Sequence, residues 1–188
     1  MRAGIINLNT GNLLSIVSAV KKAGFETVVI DKPQADFDVL LLPGQGRFGF
    51  VAAQLDKYNW REFILNWIAQ DKRFIGICVG MQLMFESSVE DTDAKGLGVF
   101  SGQIQKLKHA KTPMVGWAKL NSENELFKDD YVYFVNSYAI ASSKYCIASV
   151  NYAGDFCAAV QKGKLYGFQF HPEKSGLYGR ELLKQCLN

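Results

Sequence analysis

Three short runs limit what this chain can fold into. Ala3 to Leu8, Val39 to Leu42 and Phe74 to Ile77 are almost wholly apolar, and each stops at a polar or glycine-containing break. A strand that is apolar on both faces needs cover on both faces, as in a parallel sheet flanked by helices. The segments between them fit. Leu13, Ile16, Val17 and Val20 recur at helical spacing and Gly24 closes that helix, while Phe25 to Ile30 alternates as a further strand. Trp60, Phe63, Ile64, Trp67 and Ile68 form a second helical stripe, and a helix from about Gly80 to Ser87 follows Cys78.

The second half has another texture. Val99-Phe100, Gln103 to Leu107, Trp117 to Leu120, Tyr131 to Val135, Cys146 to Val150, Phe156 to Gln161 and Leu165 to Phe170 read as short strands between turns, largely antiparallel, before a last helix carrying Leu182, Leu183, Cys186 and Leu187. Val89 to Lys95 reads as a polar surface loop. The expected fold class is α/β, with a central, mainly parallel sheet, helices on both faces, and antiparallel strands from the second half. The 188 residues are read as one domain spanning 1–188.

Composition narrows the function classes. The net charge is +3, and the densest basic cluster, Lys106 to Lys111, is short, so nucleic acid is not an expected partner. No run approaches about 18 apolar residues and the start lacks a leader-like stretch, so no membrane association is expected and a reduced, cytoplasmic setting is. The four cysteines, 78, 146, 157 and 186, include no pair at zinc-finger or redox-motif spacing, and there are two histidines, 109 and 171. No metal and no cofactor are expected.

Gly76-Ile77-Cys78-Val79-Gly80 sits between an apolar strand and a helix. This is the nucleophile-elbow pattern with sulfur in place of the hydroxyl. Small residues two before and two after the nucleophile let the backbone turn sharply, and the helix N-terminus favours a thiolate. Alone, the pattern also suits a buried cysteine at a tight turn, or a redox or stress-response cysteine protein on a similar sheet. His171-Pro172-Glu173 supplies an imidazole with a carboxylate two residues away, projecting to the same side in extended chain. That carboxylate can select the tautomer and stabilise the imidazolium. Of the two histidines, His171 is the better general base for Cys78, since His109 lies in a lysine-rich segment. Pro43-Gly44-Gln45-Gly46 follows another apolar strand. Its uncovered N–H groups, with that of Val79, suit an oxyanion. Glycine on both sides of Gln45 makes a flip of the Gly44–Gln45 peptide inexpensive.

With these pieces in place, GICVGMQLMFESS, PGQGRF and FQFHPEKS together resemble a class I glutamine amidotransferase domain. NTGNLLSIVSAVKKAGF, PMVGW and YFVNSY narrow the resemblance to the glutaminase subunits of imidazole glycerol phosphate synthase, across Ile5 to Ser175. The resemblance implies a Cys78, His171, Glu173 triad and glutamine contacts at Gln82, Glu90, Ser137 and Tyr138. It further implies a heterodimer with a barrel-shaped synthase subunit, which would receive the ammonia and make imidazole glycerol phosphate and AICAR in histidine biosynthesis. Interface positions carried over are Asn12, Met114, Trp117, at an ammonia gate, and Lys174. The chain departs from the pattern at Met114 and Asn136, where related subunits usually carry histidine, and at Ala118, where they carry asparagine. Those departures leave open a paralogous glutaminase feeding a different acceptor, for example in bacterial sugar biosynthesis. A catalytically silent binding subunit is a further alternative, against which the intact triad argues.

Overall fold

The computed structural model describes residues 1–11, 13–127 and 130–188; Asn12, one of the expected interface positions, falls outside them. The elements are Arg2–Ile6 (β1), Leu14–Lys22 (α1), Glu26–Ile30 (β2), Val39–Gly44 (β3), Phe48–Lys57 (α2), Trp60–Ala69 (α3), Arg73–Cys78 (β4) and Val79–Gln82 (α4). There follow Ser87–Ser88 (β5), Gln103–Lys106 (β6), Met114–Lys119 (β7), Tyr131–Asn136 (β8), Tyr138–Ala139 (β9), Cys146–Asn151 (β10), Asp155–Lys162 (β11) and Leu165–Phe168 (β12). A 3-10 turn, Pro172–Lys174, then leads into Gly176–Leu187 (α5).

A seven-stranded sheet runs β10-β11-β12-β4-β3-β1-β2. Five neighbours, β2, β1, β3, β4 and β12, are parallel, and β10 and β11 extend the β12 edge antiparallel. The apolar runs read from the sequence lie in the middle of this sheet, where Val39 to Leu42 and Phe74 to Ile77 are buried. Helix α1 packs against α5, and α2 against α3. A separate two-stranded ladder, β7 with β8, pairs Met114 with Asn136, Trp117 with Tyr133 and Ala118 with Val132.

Three expectations need correction. Residues 80–87 do not form a long helix. α4 ends at Gln82, and Met84 N and Phe85 N bond back only three residues, to Met81 O and Gln82 O. Residues 79–85 are all buried, so no amphipathic stripe marks the helix end. Val99-Phe100 is not a strand. The 97–100 stretch donates Leu97 N to Leu83 O, Gly98 N to Phe85 O and Phe100 N to Met84 O, which satisfies carbonyls that the short helix leaves free. The sequence reading also passed over α2, whose apolar positions begin directly after the Gly44–Gly46 turn.

Candidate active site

Register brings the site together. In the β3–β4 pairing Gly44 lies opposite Cys78, and in the β12–β4 pairing Phe168 lies opposite Ile77. The carboxyl ends of three neighbouring parallel strands therefore deliver the glycine turn, the cysteine and the His171 segment to one sheet edge, where open α/β sheets bind their ligands.

The turn at Cys78 is strained. Its φ of 55° and ψ of −115° place a non-glycine residue at positive φ, a conformation costing on the order of 1–3 kcal/mol that surrounding contacts must offset. Those contacts are close. A Cβ on Gly80 would lie 1.8 Å from Leu42 O, and one on Gly76 would lie 2.7 Å from Gly80 O. The flanking glycines are thus required by backbone approach.

His171 follows β12 and is held from both sides. Its N–H donates to Tyr133 O at 2.9 Å, and its carbonyl accepts from Ser175 Oγ at 2.7 Å. Phe170, beneath it, packs edge-on against Phe134 at 5.9 Å. Nδ1 of the ring meets Glu173 Oε1 at 2.8 Å, which leaves Nε2 for another partner, and Cys78 is near enough to act on the charge of the ring. The His171–Glu173 contact is made differently from expectation. Glu173 sits in the 3-10 turn, not in extended chain, and the turn begun by Pro172 folds the carboxylate back under the ring. Burial is the largest single influence on His171 and opposes its charge. Hydrogen bonds and charge from Cys78 and Glu173 together outweigh burial and carry its pKa up to about 10.

A cavity of about 400 Å3 opens over the thiol. Gln45, Gly46, Cys78, Val79, Gln82, Glu90 and His171 line it, as do Ser137, Tyr138 and Lys174. Gly44 sits just behind, with Gly80 N and Val79 so near that no side chain fits there. Gln82 is 4% exposed, and its Nε2 donates to Tyr138 O at 2.9 Å and Gln169 Oε1 at 3.0 Å, so what it offers a ligand is its carbonyl oxygen. Glu90 is the only carboxylate among the described lining residues; its Oε2 accepts from Phe48 N at 2.9 Å.

Sequence reasoning gave Gln169 no role, although its side chain is fully buried and its Nε2 lies 3.9 Å from Cys78 Sγ. A buried polar residue one step after an apolar strand was the available signal. Val135 O also approaches the sulfur at 3.9 Å.

The expected interface positions separate into two groups. Trp117 is 55% exposed and meets Tyr133 edge-on at 5.9 Å, so it is not a core residue. Lys174 is exposed at the cavity rim. Met114, by contrast, is buried, so its side chain is not available on the surface. It lies directly across the ladder from Asn136, which lines the cavity, donates Nδ2 to Tyr138 O at 3.1 Å and has its Oδ1 buried without a hydrogen bond.

The remaining cysteines and the second histidine lie elsewhere. Burial pushes the Cys186 thiol up to about 12, against the opposing effect of Arg73. His109 stacks on Tyr152 at 4.2 Å, and its Nδ1 accepts from Lys111 N. Among the described residues, no group of three His, Cys, Asp or Glu could hold a metal ion, and no helix is long and apolar enough to cross a membrane.

Comparison with known proteins gives consistent results. The family model for "Glutamine amidotransferase class-I" matches residues 5–188. The chain is 36% identical over 195 residues to the imidazole glycerol phosphate synthase subunit HisH of Thermotoga maritima, covering 100% of this chain and 96% of that protein. It is 40% identical over 192 residues to the HisH subunit of Sulfolobus acidocaldarius, covering 97% of this chain and 96% of that protein. Among solved structures, a glutamine amidotransferase superposes with a TM-score of 0.81 at 18% identity, covering 99% of both chains. A PurLQS structure from Thermotoga maritima does so with a TM-score of 0.79 at 18% identity, covering 100% of this chain and 97% of that one. At that identity the structural likeness speaks for the fold alone.

Proposed function

This chain belongs to the class-I glutamine amidotransferases and, within them, to the HisH subunit family of imidazole glycerol phosphate synthase, and from that membership we propose that it hydrolyses glutamine to glutamate and hands the ammonia to a barrel-shaped synthase subunit in histidine biosynthesis. On this reading residues 1–188 act as one cytoplasmic amidotransferase domain within a heterodimer.

The reading rests on one observation: a carboxylate 2.8 Å from an imidazole that lines the same cavity as a strained thiol and feels its charge. The proton of the Cys78 thiol rests on His171, and Glu173 stabilises that imidazolium. Cys78 Sγ attacks the side-chain carboxamide carbon of glutamine. N–H groups of the Gly44–Gly46 turn and of Val79 receive the oxyanion, an interaction worth about 10²–10³ in rate for each donor. The imidazolium protonates the departing nitrogen, and ammonia leaves as the thioester forms. Water, deprotonated by the same imidazole, then hydrolyses the thioester to glutamate and returns the thiol. Gln82, Glu90, Ser137 and Tyr138 hold the amino-acid end of the substrate. Free ammonia would be protonated and lost in water, so the product passes through the interface that carries Trp117 and Lys174 to make imidazole glycerol phosphate and AICAR. A flip of the Gly44–Gln45 peptide sets the idle and competent states, with the loaded partner favouring the second.

A specific observation favours a second reading that keeps the glutaminase and changes the acceptor. The two positions where histidine was expected, Met114 and Asn136, face one another across the β7–β8 ladder, and Asn136 reaches the cavity wall. The change is thus one paired alteration beside the site. It fits a paralogue supplying another amination, such as one in bacterial sugar biosynthesis.

The test is ammonia release from glutamine by the chain alone, with the barrel synthase subunit, and with that subunit plus its nucleotide-like acceptor. The histidine-pathway reading expects release to rise steeply only with the matching subunit and acceptor. No release under any of the three conditions contradicts the glutaminase assignment. Stimulation by a different synthase alone selects the second reading.

A further inference from the structure

Beside the cavity, two segments far apart in sequence are fastened together. Residues 47–49 continue directly from the glycine turn into the first turn of α2, and residues 90–91 come from the loop after β5. Arg47 Nη2 donates to Glu90 O at 3.2 Å and to the Asp91 carboxylate, Phe48 N donates to Glu90 Oε2, and Gly49 N donates to Asp91 Oδ2 at 2.9 Å. The fit is tight, because a Cβ on Gly49 would lie 2.8 Å from both Cβ and Cγ of Asp91. Asp91 Oδ2 therefore serves as a remote cap for α2, whose Arg47 cap position has no side-chain cap of its own.

Resting on the glutaminase reading above, we propose that Asp91, clamped by Arg47 and seated against Gly49, is a positioning residue that fixes the gap between the oxyanion turn and Glu90, and with it the length of side-chain amide the cavity accepts. Glu90 is the lining carboxylate that suits the substrate's α-ammonium. The oxyanion turn meets the carboxamide at the other end of the same molecule. Only Arg47 separates the turn from the Phe48 N–H that grips Glu90, so the clamp is the shortest link between the two ends of the site. Gly46, with φ +100° and open space around it, is the one loose joint in that link. Loosening the clamp lets Glu90 drift from the ammonium without touching the thiol.

The experiment uses the full chain and two alkylating reagents. A diazoketone analogue of glutamine needs both ends of the site to label Cys78, whereas iodoacetamide needs only the thiol. For Asp91→Ala we expect the half-saturating concentration of the analogue to rise about tenfold, the effect of weakening one charge-assisted contact. The limiting labelling rate and the iodoacetamide rate should stay within about twofold of the unaltered chain, since neither reports ammonium binding. Preference for the analogue over its one-carbon-shorter asparagine counterpart should narrow. Arg47→Met, at an exposed side chain, should repeat the pattern if Asp91→Ala fails to fold. Asp91→Asn, which keeps an oxygen for Gly49 N, should recover part of the loss. Unchanged half-saturation in both Asp91→Ala and Arg47→Met overturns the proposal, as does an equal fall in the limiting and iodoacetamide rates. An unaltered chain, assembled with the synthase subunit and acceptor that stimulate it, that iodoacetamide labels at Cys78 and the glutamine analogue does not would instead overturn the glutaminase reading on which the proposal stands.

Discussion

Replacing Gly80 with alanine tests whether the elbow is held by backbone contact. The new Cβ would lie 1.8 Å from Leu42 O, against the 3.4 Å where ordinary contact begins, a deficit of about 1.6 Å. No side chain can swing away to make room, because the obstacle is a carbonyl in the middle of β3, paired in register with Gly76. Relief requires moving α4 off the sheet, and α4 begins with Val79, immediately after Cys78. Overpacking of this kind costs about 1–3 kcal/mol. A displacement of more than about 1 Å at the reacting atom lowers turnover about 10²-fold. Urea unfolding followed by fluorescence of the buried Trp60 and Trp67 reads the first effect, and ammonia release by the assembled complex reads the second. Gly76→Ala should be milder, since one of its two nearest obstacles is the flexible end of Met84. A Gly80→Ala chain with an unchanged urea midpoint and turnover within about twofold of the parent would refute the contact argument.

Three further outcomes follow from the same geometry. His171 should stay protonated through neutral pH and titrate near 10 by imidazole NMR; because its folded pKa is raised, the stability it contributes is whole below the ordinary histidine value and disappears as pH climbs through about 10. In Cys78→Ala the titration should move down, toward 6.5, and a parent His171 titrating there already would contradict the pairing with the thiol. Gln169→Leu removes the donor facing Cys78 Sγ and the acceptor for Gln82 Nε2, so turnover should fall about tenfold with the fold intact; equal turnover would make Gln169 a packing residue only. Trp117→Ala should weaken binding of the synthase subunit by about 2 kcal/mol in titration calorimetry while leaving Cys78 alkylation by iodoacetamide unchanged; undiminished binding would remove Trp117 from the interface.

The parallel core was legible because strands such as Val39–Gly44 and Arg73–Cys78 carry their own signal, apolar runs ended by glycine turns. The candidate site residues were legible for a related reason: the elbow glycines lie two positions either side of Cys78, and Glu173 lies two positions from His171. What escaped depends on contacts distant in sequence. α4 is short because residues 97–100 return to cap it. α2 starts where Glu90 and Asp91, about forty positions later, receive its first N–H groups. Gln169 matters through a strand end that only the sheet order places beside Cys78. Met114 was expected at the interface through the resemblance alone, yet alternation along β7 turns it inward while Val115 and Trp117 are exposed.

The most direct measurement of the central claim is glutamine hydrolysis by Cys78→Ala in complex with the synthase subunit that stimulates the parent chain. If Cys78 is the nucleophile, glutamate production falls by at least about a thousandfold while the complex still assembles. Glutamate production at a tenth or more of the parent rate, roughly the effect of losing one ordinary contact, would mean that the carboxamide is attacked by something other than this sulfur.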